Sequence, residues 1–233
     1  MAERVALVTG VGPGTGTALV KRFAADGYRL AMLARNAERL GALAAELSGA
    51  RAYPVDVTDE QALARVLDAI ETDLGTPDVV AHNAVGGAFG TFLDVEPAVL
   101  ERNFQVNVMA FLRLARRFAP AMASRGHGVI LATGNTSALR GKADFAAFAP
   151  TKAAQRILAE SMARELGPKG VHVAYIVIDA VIDVPWARAR WPDAPDTAFI
   201  KPASIAEEAF RVAHQPRDAW SFNVELRPFG EKW

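Results

Sequence analysis

Short apolar runs alternate with longer amphipathic segments along almost the whole chain. Residues 5–8 are all apolar, which is typical of a strand buried on both faces in a parallel sheet. In residues 17–25, the apolar positions 19, 20, 23 and 24 recur with the spacing of one helix face. The same two patterns predict further strands at 29–34, 51–55, 78–82, 128–133, 171–178 and 221–226, and further helices at 37–47, 58–74, 97–124, 145–166 and 204–213.

This strict alternation predicts an α/β fold, a Rossmann-type doubly wound parallel sheet with right-handed crossovers. An α/β chain of 233 residues is often one domain, so we expect a single domain over residues 1–233. Residues 185–202 are rich in proline and tryptophan and show no clear period, and we expect a substrate loop at about 184–203. Ligands of such sheets bind beyond the carboxyl ends of the strands, where we expect the functional side chains.

The end of the first strand is rich in glycine. Gly10, Gly12, Gly14 and Gly16 lie between this strand and the first helix, with Thr15 among them. Because glycine has no side chain, the backbone can approach a phosphate group closely. The free N–H groups at the start of a helix also attract anions. The segment therefore predicts a pyrophosphate-binding site.

The end of the second strand indicates which dinucleotide would bind. An acidic residue there would accept hydrogen bonds from the adenosine ribose and repel a 2′-phosphate. This chain instead has Ala34, followed by Arg35, whose forked guanidinium suits a phosphate. We therefore predict NADP(H) as the cofactor rather than NAD(H).

The next two strand ends add candidate contacts for the adenosine. Asp56 could accept a hydrogen bond from the adenine amino group, and Thr58 begins a Thr-x-x-Gln pattern that predicts a capping box for the next helix. Asn83 and Ala84 follow the fourth strand, and their small size would let the loop lie close to the adenosine ribose.

Charge and composition limit the possible partners. Lys+Arg and Asp+Glu number 26 each, so neither nucleic acid nor an anionic membrane is an expected partner. The chain has no cysteine, which excludes disulfides and Cys-ligated metals and is compatible with a cytoplasmic location. Its four histidines lack the spacing of metal ligands, and we expect no metal site. We find no apolar stretch of about 18 residues and no signal-peptide pattern.

Taken together, these motifs resemble the short-chain dehydrogenase/reductase family over almost the whole chain. Thr9-Gly10…Gly14-x-Gly16 is similar to the glycine loop of that family, and Asn83-Ala84 is similar to its Asn-Asn-Ala-Gly segment. The resemblance places Asn107 at the helix asparagine that supports the family's proton relay, and Lys152 at the lysine of its Tyr-x-x-x-Lys motif. It implies that the cofactor contacts include Thr15, Asn36, Asp56, Val57, Lys152 and Ile182.

The same resemblance implies an altered set of acid–base residues. Phe148 stands where the family has its catalytic tyrosine, and Asn135 stands where it has its catalytic serine. Asp179-Ala180 replaces a Pro-Gly pair, and Val184 takes the place of a threonine that would hold the nicotinamide. Phenylalanine has no proton to give, whereas an asparagine amide can donate a hydrogen bond to a developing oxyanion.

Three functions remain open on the sequence alone. The first is an NADP(H)-dependent oxidoreductase with Asn107, Asn135, Phe148 and Lys152 as its catalytic set, in which Lys152 and Asn107 order a water that donates the proton. Its substrate would be a small carbonyl, imine or conjugated molecule. The alternative is a catalytically impaired NADP(H)-binding protein that acts as a sensor or assembly subunit, and a non-redox lyase or isomerase is a third possibility.

The helices at 103–119 and 148–166 carry apolar residues on several faces. Together with the resemblance, this pattern predicts a homodimer or homotetramer.

Overall fold

The structure is a computed structural model that describes residues 3–230. Its main sheet has seven parallel strands in the order β3-β2-β1-β4-β5-β6-β9. The strands of this sheet are β1 (Val5–Thr9), β2 (Arg29–Ala34), β3 (Ala50–Pro54), β4 (Val79–His82), β5 (Gly128–Asn135), β6 (Val171–Ile178) and β9 (Asn223–Leu226). A separate parallel pair is formed by β7 (Val181–Ile182) and β8 (Phe199–Ile200). The predicted doubly wound parallel sheet is confirmed.

Helices cover both faces of the sheet. They are α1 (Thr15–Ala25), α2 (Ala37–Glu46), α3 (Glu60–Leu74), α4 (Pro97–Phe104), α5 (Ala110–Arg125), α6 (Ala149–Leu166), α7 (Pro185–Arg190) and α8 (Pro202–Ala213). On one face, α3, α5 and α6 bury residues such as Leu67 and Phe118 against the sheet. On the other face, α1, α2 and α8 bury residues such as Phe23 and Phe210. Because both faces are covered, the central strands are mostly apolar, with polar residues such as Thr9 and His82 at their carboxyl ends.

The predicted helices differ from those in the structure, mostly by a residue or two at one end, and three of the differences bear on the site. The helix predicted at 58–74 begins at Glu60, and Asp59 caps it by accepting a hydrogen bond of 2.9 Å from the Ala62 N–H. The predicted capping role of Thr58 is therefore wrong. The helix predicted at 97–124 is interrupted by a π-helical turn, Gln105–Met109. The helix predicted at 145–166 begins only at Ala149.

The aperiodic stretch forms a small substructure. The helix α7 and the β7–β8 pair bury Val184, Ala187 and Phe199 together. Arg188 joins its two ends, with ion pairs of 2.7 Å to both Asp183 and Asp196. The substrate role of residues 184–203 stays a prediction. Within the described part of the chain, none of the helices has the length and apolar character needed to cross a bilayer.

The main sheet fixes where the candidate residues lie. β1 pairs with β2 on one side and with β4 on the other, so the strand order changes direction beside β1. In doubly wound sheets a crevice opens at this point, beyond the carboxyl ends of the strands. The glycine-rich segment after β1 and the loop after β4 meet there.

Candidate active site

The glycine-rich segment is tightly packed on one side and open on the other. Gly10 has a φ of 66°, and a Cβ atom there would lie 2.6 Å from the Cα atom of Ala84. A Cβ atom on Gly16 would overlap the carbonyl oxygen of Gly10, so this glycine lets α1 pack directly on the loop. A Cβ atom on Gly12 would have no neighbour closer than 3.9 Å. Gly12 therefore faces open space, where a ligand can approach the backbone.

The first turn of α1 offers hydrogen-bond donors without partners. Gly14 caps the helix and has no side chain to accept hydrogen bonds from its first N–H groups. The hydroxyl of Thr15 is buried and has no hydrogen-bond partner among residues 3–230. A buried hydroxyl without a partner costs free energy that a bound anion would recover. The residues present therefore fit a pyrophosphate group.

Polar side chains at the ends of β2 and β3 lie close together. Arg35 is exposed, while Asn36 caps α2 by accepting a hydrogen bond of 2.7 Å from the Arg39 N–H. Burial acts to raise the pKa of Asp56, but hydrogen bonds from Thr58 hold this pKa below its usual range. Arg35 adds to this lowering by its charge. Asp56 is therefore an ionised hydrogen-bond acceptor beside the exposed Arg35.

The loop after β4 is fixed to the ends of β1 and β5. The side chain of Asn83 donates to the carbonyl of Gly10 at 3.0 Å and accepts from the hydroxyl of Thr133 at 3.0 Å. The hydroxyl of Thr9 accepts from the N–H groups of Asn83 and Ala84 at 3.1 and 3.2 Å. These contacts hold Asn83 and Ala84 beside the glycine-rich segment, as the predicted cofactor site requires.

His82, the last residue of β4, also orients the loop that follows this strand. Its ring nitrogens lie 3.0 Å from the Thr9 hydroxyl and 3.0 Å from the carbonyl of Val106. Because a carbonyl only accepts, we assign the proton to Nε2, which leaves Nδ1 to accept from Thr9. Burial lowers the pKa of His82 to about 3, so the ring is neutral at physiological pH. His82 thus holds the loop after β4 against the end of β1.

Lys152 lies inside the protein at the first turn of α6. Its Nζ atom donates to the carbonyl of Thr133 at 3.0 Å and to Oε1 of Gln155 at 2.9 Å. The Nζ atom lies 6.0 Å from the centre of the Phe148 ring. Burial lowers the pKa of Lys152 to about 7. The side chain can therefore hold or release a proton near neutral pH.

Asn107 lies in the π-helical turn and is fully buried. Its side chain accepts from the Gly86 N–H at 2.9 Å and donates to the Gly86 carbonyl at 2.7 Å and the Thr151 hydroxyl at 2.8 Å. Its main-chain carbonyl accepts from Nε2 of Gln155 at 2.6 Å. The structure thus connects Asn107 to Lys152 through Gln155. The predicted water between Lys152 and Asn107 stays a prediction.

Asn135 and Phe148 lie on either side of the loop between β5 and α6. Asn135 is the last residue of β5, and its Oδ1 atom accepts from the Ser137 N–H at 3.1 Å, which leaves its Nδ2 atom without a protein partner among residues 3–230. The half-buried ring of Phe148 lies beside Gly87, where a Cβ atom would be 3.5 Å away. Asn135 thus offers a donor, and Phe148 offers an apolar surface.

The remaining candidates lie around the same crevice. Val57 is buried after β3, and Ile182 lies on β7, where it pairs with Ile200. Val184 approaches the glycine-rich segment, since a Cβ atom on Gly14 would lie 2.9 Å from its Cγ1 atom. The segment after β6 therefore closes over the segment after β1.

Gln155 is a buried polar residue that the sequence motifs did not reveal. It follows Lys152 by three residues on α6, which puts both side chains on one face of the helix. A glutamine three residues after Lys152, on the same face of the predicted helix, is a signal that could have found it.

Comparisons with known proteins agree with this geometry. Residues 4–192 match the family described as short chain dehydrogenase. The chain is 31% identical over 194 residues to the L-xylulose reductase of Bos taurus, a match that covers 83% of this chain and 78% of that protein. It is 31% identical over 183 residues to the 7alpha-hydroxysteroid dehydrogenase of Escherichia coli K12, covering 77% of this chain and 71% of that protein.

Solved structures show the same fold. The alcohol dehydrogenase of the archaeon Thermococcus sibiricus, complexed with 5-hydroxy-NADP, is 26% identical with a TM-score of 0.89, and the match covers 99% of this chain and 98% of that one. A metagenomic short-chain oxidoreductase in complex with NADP is 29% identical with a TM-score of 0.84, and the match covers 97% of each chain.

Proposed function

Because the chain belongs to the short-chain dehydrogenase/reductase family, we propose that it is an NADP(H)-dependent oxidoreductase with a modified set of acid–base residues. Its substrate is a small carbonyl, imine or conjugated molecule that needs little proton donation from the enzyme. The observation that carries the proposal is the open, glycine-lined start of α1, where the buried Thr15 hydroxyl has no partner within the described chain.

The choice of NADP(H) rests on the end of β2. Ala34 supplies no carboxylate to repel a 2′-phosphate, and the exposed Arg35 supplies a cation for it. The alcohol dehydrogenase and the short-chain oxidoreductase described above bind 5-hydroxy-NADP and NADP, respectively. Gly10, Gly12, Gly14, Thr15 and Gly16 hold the pyrophosphate in this proposal.

The adenosine and nicotinamide ends of the cofactor have further partners in this proposal. The adenosine is held by Asn36, Asp56, Val57, Asn83 and Ala84. Lys152 and Ile182 hold the nicotinamide end of the cofactor.

In the proposed reaction, four side chains have different roles. When bound, NADPH supplies the hydride. The Asn135 amide donates a hydrogen bond to the oxygen or nitrogen on which negative charge develops. Lys152 holds a proton near this site, Asn107 fixes the surrounding loop, and Phe148 forms an apolar wall.

A second candidate function is favoured by one observation. Phe148 stands where the family resemblance places a tyrosine, and it has no proton to give. A protein that binds NADP(H) without turnover, as a sensor or assembly subunit, would keep the glycine-rich segment and lose this donor.

A single-turnover experiment separates the two functions. The protein is loaded with one equivalent of NADPH and mixed with aldehydes, quinones, imines and enones, and loss of absorbance at the reduced nicotinamide band is followed. We expect oxidation with at least one of these classes, at a rate that Asn135→Ala lowers. Tight NADPH binding without oxidation by any class would contradict the oxidoreductase proposal and support the sensor.

A further inference from the structure

Gln155 makes hydrogen bonds to three separate parts of the fold. Its Oε1 atom lies 2.9 Å from Nζ of Lys152 and 3.3 Å from the hydroxyl of Tyr175 on β6. Its Nε2 atom donates to the main-chain carbonyl of Asn107 at 2.6 Å. The residue is 0% exposed. A buried amide is costly unless its donors and acceptors are paired, and this one is paired at both ends.

The orientation of this amide follows from its partners. The ammonium of Lys152 can only donate, so it must face the oxygen of Gln155. The carbonyl of Asn107 can only accept, so it must face the nitrogen. Exchanging the two ends of the amide would break both contacts at once, and Gln155 is therefore held in one orientation.

We propose that Gln155 is a positioning residue that holds the Lys152 ammonium in place for the cofactor and the reacting atoms. The inference rests on the proposed function, which gives Lys152 its role. An ammonium group has three donors. The Thr133 carbonyl takes one and Gln155 takes a second, so one N–H, which has no partner among residues 3–230, remains for the cofactor or the substrate.

The π-helical turn supplies the other anchor of Gln155. This turn, Gln105–Met109, separates α4 from α5 and contains Asn107. Single wide turns of this kind are frequent at functional sites. The Asn107 side chain ties the turn to Gly86 and to Thr151 on α6, so its carbonyl has a fixed position relative to Gln155.

The groups around Lys152 make its titration measurable. His82 on β4 stays neutral, because burial lowers its pKa to about 3. Tyr175 on β6 also stays neutral, because burial raises its pKa, although the charge of Arg156 opposes this. The Thr133 carbonyl and Gln155 carry no net charge. A titration near pH 7 therefore belongs to Lys152.

Two substitutions of Gln155 should move this titration in opposite directions. Gln155→Glu places a carboxylate beside Nζ, which favours the charged lysine and should raise its midpoint by about one pH unit or more. Gln155→Met has a similar size but no acceptor, so it should lower the midpoint. Gln61→Glu is the matched control, because Gln61 is exposed on α3, and its midpoint should equal that of the parent.

The midpoint is read from the ¹³Cε signal of Lys152 in protein labelled with [¹³C]lysine, identified by its absence in Lys152→Met. NADPH affinity is measured over the same pH range. Near neutral pH, the variants with a higher lysine midpoint should bind NADPH more tightly. An unchanged midpoint in folded Gln155→Glu would overturn the inference, and this variant alone decides if Gln155→Met does not fold.

The two proposals fail in different ways. Shifted lysine titrations in a protein that never binds NADPH would contradict the proposed function, and would show only that Gln155 controls the charge of Lys152. NADPH binding with an unmoved lysine midpoint would contradict the positioning role alone.

Discussion

Lys152 is only 3% exposed, so its ammonium group lies inside the protein. Its partners are a main-chain carbonyl and an amide oxygen, neither of which carries a full negative charge. Burial therefore lowers the pKa of this lysine from 10.5 to about 7. Between these two pH values, the unfolded chain holds the proton while the native chain has released it.

This difference predicts how stability depends on pH. The penalty for burying the charged lysine is fully present below pH 7 and is relieved as pH rises toward 10.5. The free energy of unfolding of the parent, relative to Lys152→Met, should thus rise by roughly 1 kcal/mol per pH unit between the two values. Urea unfolding at several pH values measures it. A difference that stays constant with pH would contradict the low pKa.

Arg35 is predicted to select the cofactor at the level of one side chain. Arg35→Ala removes a charge-assisted contact to a 2′-phosphate, so NADPH affinity should fall roughly tenfold or more while NADH affinity stays nearly the same. Calorimetric titration with both cofactors measures this, and Arg39→Ala, on the exposed side of α2, is the control. Equal weakening of both cofactors would show that Arg35 has no part in selection.

The acid–base set can be tested by restoring hydroxyl groups. Phe148→Tyr with Asn135→Ser should raise the rate of NADPH oxidation by an activated aldehyde such as nitrobenzaldehyde, by about 10²-fold or more. The reason is that Lys152 lies 6.0 Å from the ring of Phe148 and would favour ionisation of a phenol there. Asn135→Ser alone should do less, because it adds no acid. A double variant no faster than the parent would mean that the pocket has changed in other ways.

At the scale of elements, the segment between β1 and α1 contains glycines with different tasks. Gly16 lets the helix contact the loop, and substitution there would distort the loop itself. Gly12 faces open space, so its substitution tests the ligand site without disturbing the packing.

Gly12→Val should therefore remove NADPH binding and leave the fold intact, because the new side chain would fill the space of the pyrophosphate. The melting temperature with and without saturating NADPH measures this, since a ligand that binds only the native state raises it. Gly41→Val is the control, since a Cβ atom on this exposed helical glycine meets nothing within 4 Å. A full thermal shift in Gly12→Val would show that this glycine is only part of a turn.

Strands were predicted better than helix ends. The strand β6 was predicted residue for residue, because a parallel strand buried on both faces is a nearly continuous apolar run, which in β6 only His172 interrupts. The start of α3 was not, because Asp59 and Thr58 are both good caps and only the fold decides between them. The π-helical turn was missed because one extra residue hardly disturbs a helical pattern.

At the scale of the molecule, parallel strands explain why the candidate residues could be predicted as a group. All the strands of the main sheet end at one edge, so segments far apart in sequence meet there. The order of the strands does not predict which individual side chains form hydrogen bonds. Gln155 and Asn107 are 48 residues apart, and their hydrogen bond depends on how α6 packs against the π-helical turn.

Assembly is the property of the whole molecule that stays a prediction. Helix 148–166 was expected to carry apolar residues to a subunit contact, and in the structure Ile157 on this helix is 59% exposed. By contrast, Phe111 and Leu114, on the helix that was expected to share this contact, are fully buried in the core. Because Ile157 lies at the surface of α6, its substitution can test the predicted contact without disturbing the core.

Ile157→Glu tests this assembly. A carboxylate buried in a contact between two copies would be left without a partner, so the variant should sediment as smaller species than the parent. When the parent is diluted until it has the same mass as the variant, the two proteins should have the same melting profile. Analytical ultracentrifugation measures the masses. Arg65→Glu, an exposed substitution on α3 that also adds negative charge, should leave the parent mass unchanged. If Ile157→Glu and the parent have the same mass, α6 does not form the contact, and the exposed Phe89, Phe92 and Leu93 after β4 become the next surface to substitute.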